Sequence, residues 1–134
     1  MESISFQLPA GFEKLRKASA ALRDLLIHHN VDEEVVNSCE LALQELLVNI
    51  AEHSYSQDES RFISVNLRVV GKRLFIETED SGVPANVNLE KVTMPDPLDL
   101  QVRGYGMALI MELMDYVDYQ YRDGKNLWVL SKAI

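Results

Sequence analysis

The chain has 134 residues, enough for one domain with a substantial core, and its 47% hydrophobic and 25% charged content is that of an ordinary globular protein. A formal net charge of −8 argues against broad nucleic-acid binding and against docking on an anionic membrane, since both need a basic field. The single cysteine, Cys39, allows no internal disulfide and, with three scattered histidines, makes a structural zinc site improbable.

The opening residues Met1-Glu2-Ser3-Ile4-Ser5-Phe6 lack the basic and apolar regions of a leader, and no apolar stretch approaches the ~18 residues of a membrane span. A cytoplasmic protein with residues 1–134 as one domain is the expectation. Ser3 to Leu8 alternates as a strand that stops at Pro9. Phe12, Leu15, Ser19, Leu22 and Leu26 recur at steps of three and four, which predicts a first helix over Ala10–His28. The paired His28-His29 at its end complements the helix dipole. Asn30-Val31-Asp32-Glu33-Glu34 reads as a helix start, and the second helix runs from Asp32 to His53. Polar residues 54–60 close it.

Phe62–Val70 and Leu74–Thr78 read as strands joined by Gly71-Lys72-Arg73. No P-loop accompanies Gly71-Lys72 or Gly124-Lys125, because Asn66 and Tyr119 stand where the earlier glycine belongs. The second strand runs into Asp80-Ser-Gly-Val-Pro84, and residues 85–103 follow without periodicity. A loop of that length in a small domain is usually functional or mobile. Gly104-Tyr-Gly106 then opens an apolar helix. Tyr116–Tyr121 is a strand, 123–126 a turn, and Leu127–Lys132 the last strand. The order β-α-α-β-β-loop-α-β-β is dominated by hairpins. It points to an α+β two-layer sandwich, with helices covering one face of a mixed, mostly antiparallel sheet.

Three stretches carry chemistry. A helix advances about 100° per residue, so Glu45 and Asn49 lie about 40° apart on one face. They sit beside the small residues Ser38 and Ala42, at the margin of the apolar stripe formed by Val36, Cys39, Leu43, Leu46, Leu47 and Ile50. Alone, the pair is equally an ordinary solvated flank. Asp80-Ser-Gly-Val-Pro84 is either a tight turn with Gly82 at positive φ or a carboxylate at a cleft floor, able to accept from an exocyclic amine. Gly104 and Gly106 precede a helix whose free amides favour phosphate, although Leu109 replaces the third glycine of a dinucleotide fingerprint.

Taken together, Glu-x-x-x-Asn, Asp-x-Gly-x-Pro, a long loop and Gly-x-Gly resemble the N, G1 and G2 boxes of the GHKL (Bergerat-fold) ATPases. Within that superfamily the chain is most similar to the bacterial anti-sigma-factor serine kinases. The resemblance spans nearly the whole chain, including Glu52-His53-Ser54-Tyr55, Asp96-Pro97-Leu98 and 104–115 with the closing hairpin. It implies ATP and Mg²⁺ as cofactors, with Asn49 coordinating the metal and Glu45 as general base toward a serine hydroxyl. It further implies that Asp80 binds adenine over Gly82, that residues 85–103 form the ATP lid, and that Gly104 and Gly106 offer amides to the phosphates. Arg103 would reach the γ-phosphate. One departure is Lys125, where the family commonly has a threonine that holds adenine through water. Lysine cannot accept a hydrogen bond, which leaves that contact to Asn126 or another polar group, or else weakens affinity.

The implied activity is an ATP-dependent protein serine kinase that phosphorylates a STAS-type anti-anti-sigma protein and sequesters a sigma factor. The resemblance also suggests a homodimer formed through the sheet or its strand edges. The alternative is an ATP-sensing regulatory module without significant kinase activity. A histidine-kinase catalytic domain is disfavoured: neither His28 nor His29 is followed by the acidic residue of a phosphoacceptor box.

Overall fold

A computed structural model describes residues 2–55, 58, 61–85, 87–91 and 105–134, the side chains of Lys91 and Tyr105 excepted. Five strands form one sheet: β1 (Glu2–Pro9), β2 (Phe62–Val70), β3 (Arg73–Asp80), β4 (Tyr116–Arg122) and β5 (Lys125–Ala133). Their spatial order is β1-β2-β3-β5-β4, and all four ladders are antiparallel, without the parallel component that a mixed sheet would carry. The helices are α1 (Arg16–His28), α2 (Glu33–Asn49) and α3 (Tyr105–Leu113). The element order is the expected one, and the class is α+β.

Strand register explains which face is covered. Ile4 pairs with Leu67, Phe6 with Val65 and Leu8 with Ile63, so the alternating apolar positions of β1 and β2 share one face. On β3 the same face carries Leu74, Ile76, Thr78 and Asp80, and on β5 it carries Asn126, Trp128 and Leu130. Leu22 and Leu26 of α1, Leu43, Leu46 and Leu47 of α2 and Ile110 of α3 are fully buried against this layer. Each such leucine or isoleucine contributes about 1.5–3 kcal/mol of burial. The opposite face is open. There Ser5, Gln7, Asn66, Glu77, Leu127 and Val129 line a trough of about 540 Å³, away from the carboxylate of Asp80.

Several boundaries differ from expectation for local reasons. Residues Phe12–Leu15 form a 3-10 turn before α1 begins, and Ala10 is buried at the end of β1 rather than in the helix. Asn30 does not start the second helix. It ends the first, at φ 57, with the Val31 N–H returning to the Leu26 carbonyl at 3.1 Å. The last hairpin turns in two residues, since Arg122 pairs with Lys125. Asp123 and Gly124 both take positive φ (53 and 78), the signature of a tight primed turn, so Lys125 and Asn126 belong to β5. Among the described residues, no helix is long and apolar enough to cross a membrane.

Candidate functional site

The second helix does not simply fray at its end. After Asn49 it widens into a π-helical turn over Ile50–Ser54, closed by the Tyr55 N–H donating to the Ile50 carbonyl at 3.2 Å. Such a turn accommodates an extra residue and is common at functional sites. Here it brings Ser54 against the exit of β3. The Ser54 hydroxyl donates to Asp80 Oδ1, and the Val83 N–H donates to the Ser54 carbonyl at 3.1 Å.

Asp80 is 3% exposed. Its Oδ1 accepts from Ser54 Oγ, from the Gly82 amide at 3.0 Å and from Asn126 Nδ2 at 2.8 Å. Oδ2 is buried and, among the described residues, has no hydrogen-bond partner. A buried polar oxygen left unpaired is costly, so this atom marks a place where a donor belongs. An exocyclic amine fits it.

Asn126 lies directly across the ladder from Asp80. Besides Asp80, its Nδ2 faces the carbonyl of Val83 at 3.0 Å, and its Oδ1 accepts from the Tyr119 hydroxyl. That hydroxyl also accepts from the Ala85 N–H at 2.8 Å. The tilted Tyr119 ring packs on Trp128 with centroids 4.5 Å apart. Asn126 therefore holds Asp80 in place through its nitrogen, while its oxygen accepts one hydrogen bond, from Tyr119. Lys125 does not compete, because it points to the opposite face and pairs with Glu79 at 2.6 Å. That hydrogen bond raises the ammonium pKa above its ordinary value.

Gly82 is glycine for a reason other than the one its sequence suggests. It is not among the positive-φ residues. Instead, a Cβ there would stand 2.2 Å from Ser54 Oγ and 2.3 Å from the Ser54 carbonyl oxygen. The constraint is close approach to the π turn. A second clamp holds the same segment: the Tyr55 hydroxyl accepts from the Ser81 N–H at 2.7 Å and donates to the Phe62 carbonyl at 2.9 Å.

Glu45 and Asn49 are half-buried on α2, toward α3. A Cβ on Gly106 would meet Glu45 Oε2 at 3.0 Å, which places that carboxylate against the first turn of α3. Asn49 Nδ2 contacts Met107 Sδ at 3.8 Å, and among the described residues Oδ1 has no partner. A carboxamide oxygen is what a hard cation such as Mg²⁺ takes. No three His, Cys, Asp or Glu side chains among the described residues could hold a metal by themselves, so a cation here would depend on phosphate oxygens. Cys39 is fully buried, and burial pushes its thiol up to about 11, which leaves it protonated and inert at neutral pH.

The structure thus brings Asp80, Gly82 and Asn126 together at one end, and Glu45, Asn49 and Gly106 at the other. Arg103, Gly104 and positions 92–102 of the expected lid lie outside the described residues. Sequence reasoning missed Ser54 and Tyr119 as supports of Asp80. The Ser54 contact spans 26 residues and needs the π turn, which leaves no periodicity signal. One cluster joins the π turn to the ends of β3 and β5, the other joins α2 to the first turn of α3, and the α+β sandwich that carries them is of the Bergerat class.

The comparisons agree. Residues 8–132 match the histidine kinase-like ATPase domain, and the chain belongs to that family. It is 24% identical to the serine-protein kinase RsbW of Listeria innocua over 139 aligned positions, covering 99% of this chain and 88% of that protein. The fold resembles the RsbU and RsbW domains of Rv1364c from Mycobacterium tuberculosis (TM-score 0.72, 18% identity, 99% of this chain and 32% of that one). It also resembles the SiaB-SiaC complex from Pseudomonas aeruginosa (TM-score 0.66, 15% identity, 98% of this chain and 89% of that one).

Proposed function

We propose that this chain is an ATP-dependent protein serine kinase of a partner switch, phosphorylating a STAS-type anti-anti-sigma protein and sequestering a sigma factor. The observation that carries the reading is the placement of Glu45 against the Gly106 turn of α3, while Asp80 keeps one buried oxygen uncommitted. In this reading the adenine amine donates to Asp80 Oδ2, and the backbone of Gly104 and Gly106 faces the phosphates, with Arg103 at the γ-phosphate. The acceptor serine hydroxyl attacks the γ-phosphorus, Glu45 takes its proton, and ADP departs. Mg²⁺, when bound at Asn49, neutralises charge on the phosphates.

The resulting phosphoserine carries a charge of about −2 at the partner's contact surface, which would dissociate the complex. The unphosphorylated antagonist would compete for the kinase and release the sigma factor. Similarity to RsbW and to the SiaB-SiaC complex supports this assignment. A homodimer through the open sheet face or its edges, a cytoplasmic location and one domain over 1–134 complete the proposal.

A second reading, an ATP-sensing module without kinase activity, is favoured by one contact. The Tyr119 hydroxyl links Asn126, and through it Asp80, to the Ala85 backbone at the root of the expected lid. Glu45→Gln separates the two. For the kinase, phosphotransfer to a STAS protein falls by about 10²–10⁴ while ATP affinity is kept. For a pure switch, partner binding and its ATP dependence are both unchanged, and the wild type shows no phosphotransfer to lose.

A further inference from the structure

Asp80 Oδ2 is not alone. Among the described residues, two buried side-chain polar atoms lack a hydrogen-bond partner, and the other is Thr78 Oγ1. Thr78 is 3% exposed and occupies the inward position of β3 immediately before Asp80. Inward positions two apart on a strand stand roughly 6.6 Å apart, a span that one water or the edge of a purine bridges. The coincidence is informative because the preceding inward residues, Leu74 and Ile76, are purely apolar and fully buried.

A valine would fill the Thr78 position with the same shape. Thr78 is flanked across the sheet by Val65 and Trp128, which are themselves 2% exposed. A hydroxyl buried between them without a partner is destabilising, so packing alone does not account for it. Asn126 does not relieve it: its nitrogen bonds Asp80 and Val83, and its oxygen bonds Tyr119. The two uncommitted atoms also differ in kind. A carboxylate oxygen only accepts, whereas a hydroxyl can donate. Adenine presents the complementary pair side by side: an amine that donates and a ring nitrogen that accepts. Guanine presents the reverse, with a carbonyl facing the carboxylate.

We propose that Thr78 is a second base-reading residue, its hydroxyl donating, directly or through one water, to the ring nitrogen beside the amine that Asp80 Oδ2 receives. This rests on the nucleotide reading of the cleft and adds a specificity determinant to it. The hydroxyl sets adenine preference jointly with Asp80, and the Lys125 departure costs nothing because the donor comes from β3 rather than from the β4–β5 turn.

Calorimetric titration of the full chain with ATP and with 1-deaza-ATP, which lacks that ring nitrogen, tests the proposal on wild type, Thr78→Val and Thr78→Ser. Thr78→Val should bind ATP about tenfold more weakly, the value of one hydrogen bond, while binding 1-deaza-ATP as the wild type does. Thr78→Ser should recover most of the loss. The melting temperature of Thr78→Val should stay equal or rise, which separates base reading from a structural role. Equal ATP affinity in wild type and Thr78→Val would overturn the proposal and leave the nucleotide site intact. Equal weakening toward both nucleotides would overturn it as well. A wild type that binds ATP no better than it binds GTP removes the specificity claim, and one that binds neither removes the nucleotide reading itself.

Discussion

The two side-chain clusters at the C-terminal part of the second helix are built in opposite ways. Around Asp80, side chains from the π turn and β5 bond one carboxylate, Tyr119 of β4 holds the β5 partner, and Asp80 and Asn126 are 3% and 1% exposed. Around Glu45, two half-exposed side chains meet α3 through one sulfur contact and a glycine that leaves room for a carboxylate. The first end is fixed before any ligand arrives. The second has few side-chain partners among the described residues. In the proposed kinase, base recognition is therefore preorganised and contributes affinity, while the phosphate end forms its productive arrangement only with ATP and acceptor present.

Substitutions at the two ends should separate accordingly. The largest effect is expected at Gly82. Gly82→Ala drives a Cβ into the Ser54 backbone, so it should lower stability by about 1–3 kcal/mol and abolish nucleotide binding at the same time. Thermal denaturation and titration of the same sample check both. Retained stability and affinity would mean that the clamp between the π turn and β3 is not what holds Asp80.

Gly106→Ala should act on the other end alone. Among the described residues, the only atom a Cβ meets there is the tip of the flexible Glu45 side chain, and alanine is the better helix former by up to about 1 kcal/mol. Stability should hold or rise and ATP affinity should change little. The rate of phosphotransfer should drop several-fold as the carboxylate is displaced. Loss of affinity in place of rate would contradict the division between the ends.

The smallest effect is expected at Lys125. Its ammonium pairs with Glu79 on the far face of the sheet, and both side chains are about half exposed. Lys125→Ala should leave nucleotide affinity unchanged and the melting temperature nearly so. A clear change in affinity would show that the β4–β5 turn reaches the pocket after all.

The element order was legible because its punctuation is strong. Gly71-Lys72 and Asp123-Gly124 mark hairpins, and the apolar periods of α1 and α2 differ plainly from the alternation of β2 and β3. Motif order also anticipated that Glu45 on α2 would face Gly106 on α3. What was not legible depends on distant pairing. Asp-Gly-Lys-Asn offers four turn-like residues in a row, which on sequence alone puts Asn126 in the turn, whereas the primed geometry needs only two. Ser54 looked like the polar end of a helix, and only the π turn makes it a ligand of Asp80. Thr78 looked like one more β-branched strand residue, and only its burial without a partner sets it apart.

The measurement that bears most directly on the central claim is calorimetric titration of the chain and of Asp80→Asn with ATP, with and without Mg²⁺. Magnesium-dependent binding by the wild type, weakened at least tenfold in Asp80→Asn, is the predicted result, since a charge-assisted hydrogen bond is worth about 1.5–3 kcal/mol. Binding that is indifferent to Asp80, or no binding at millimolar nucleotide, would contradict it.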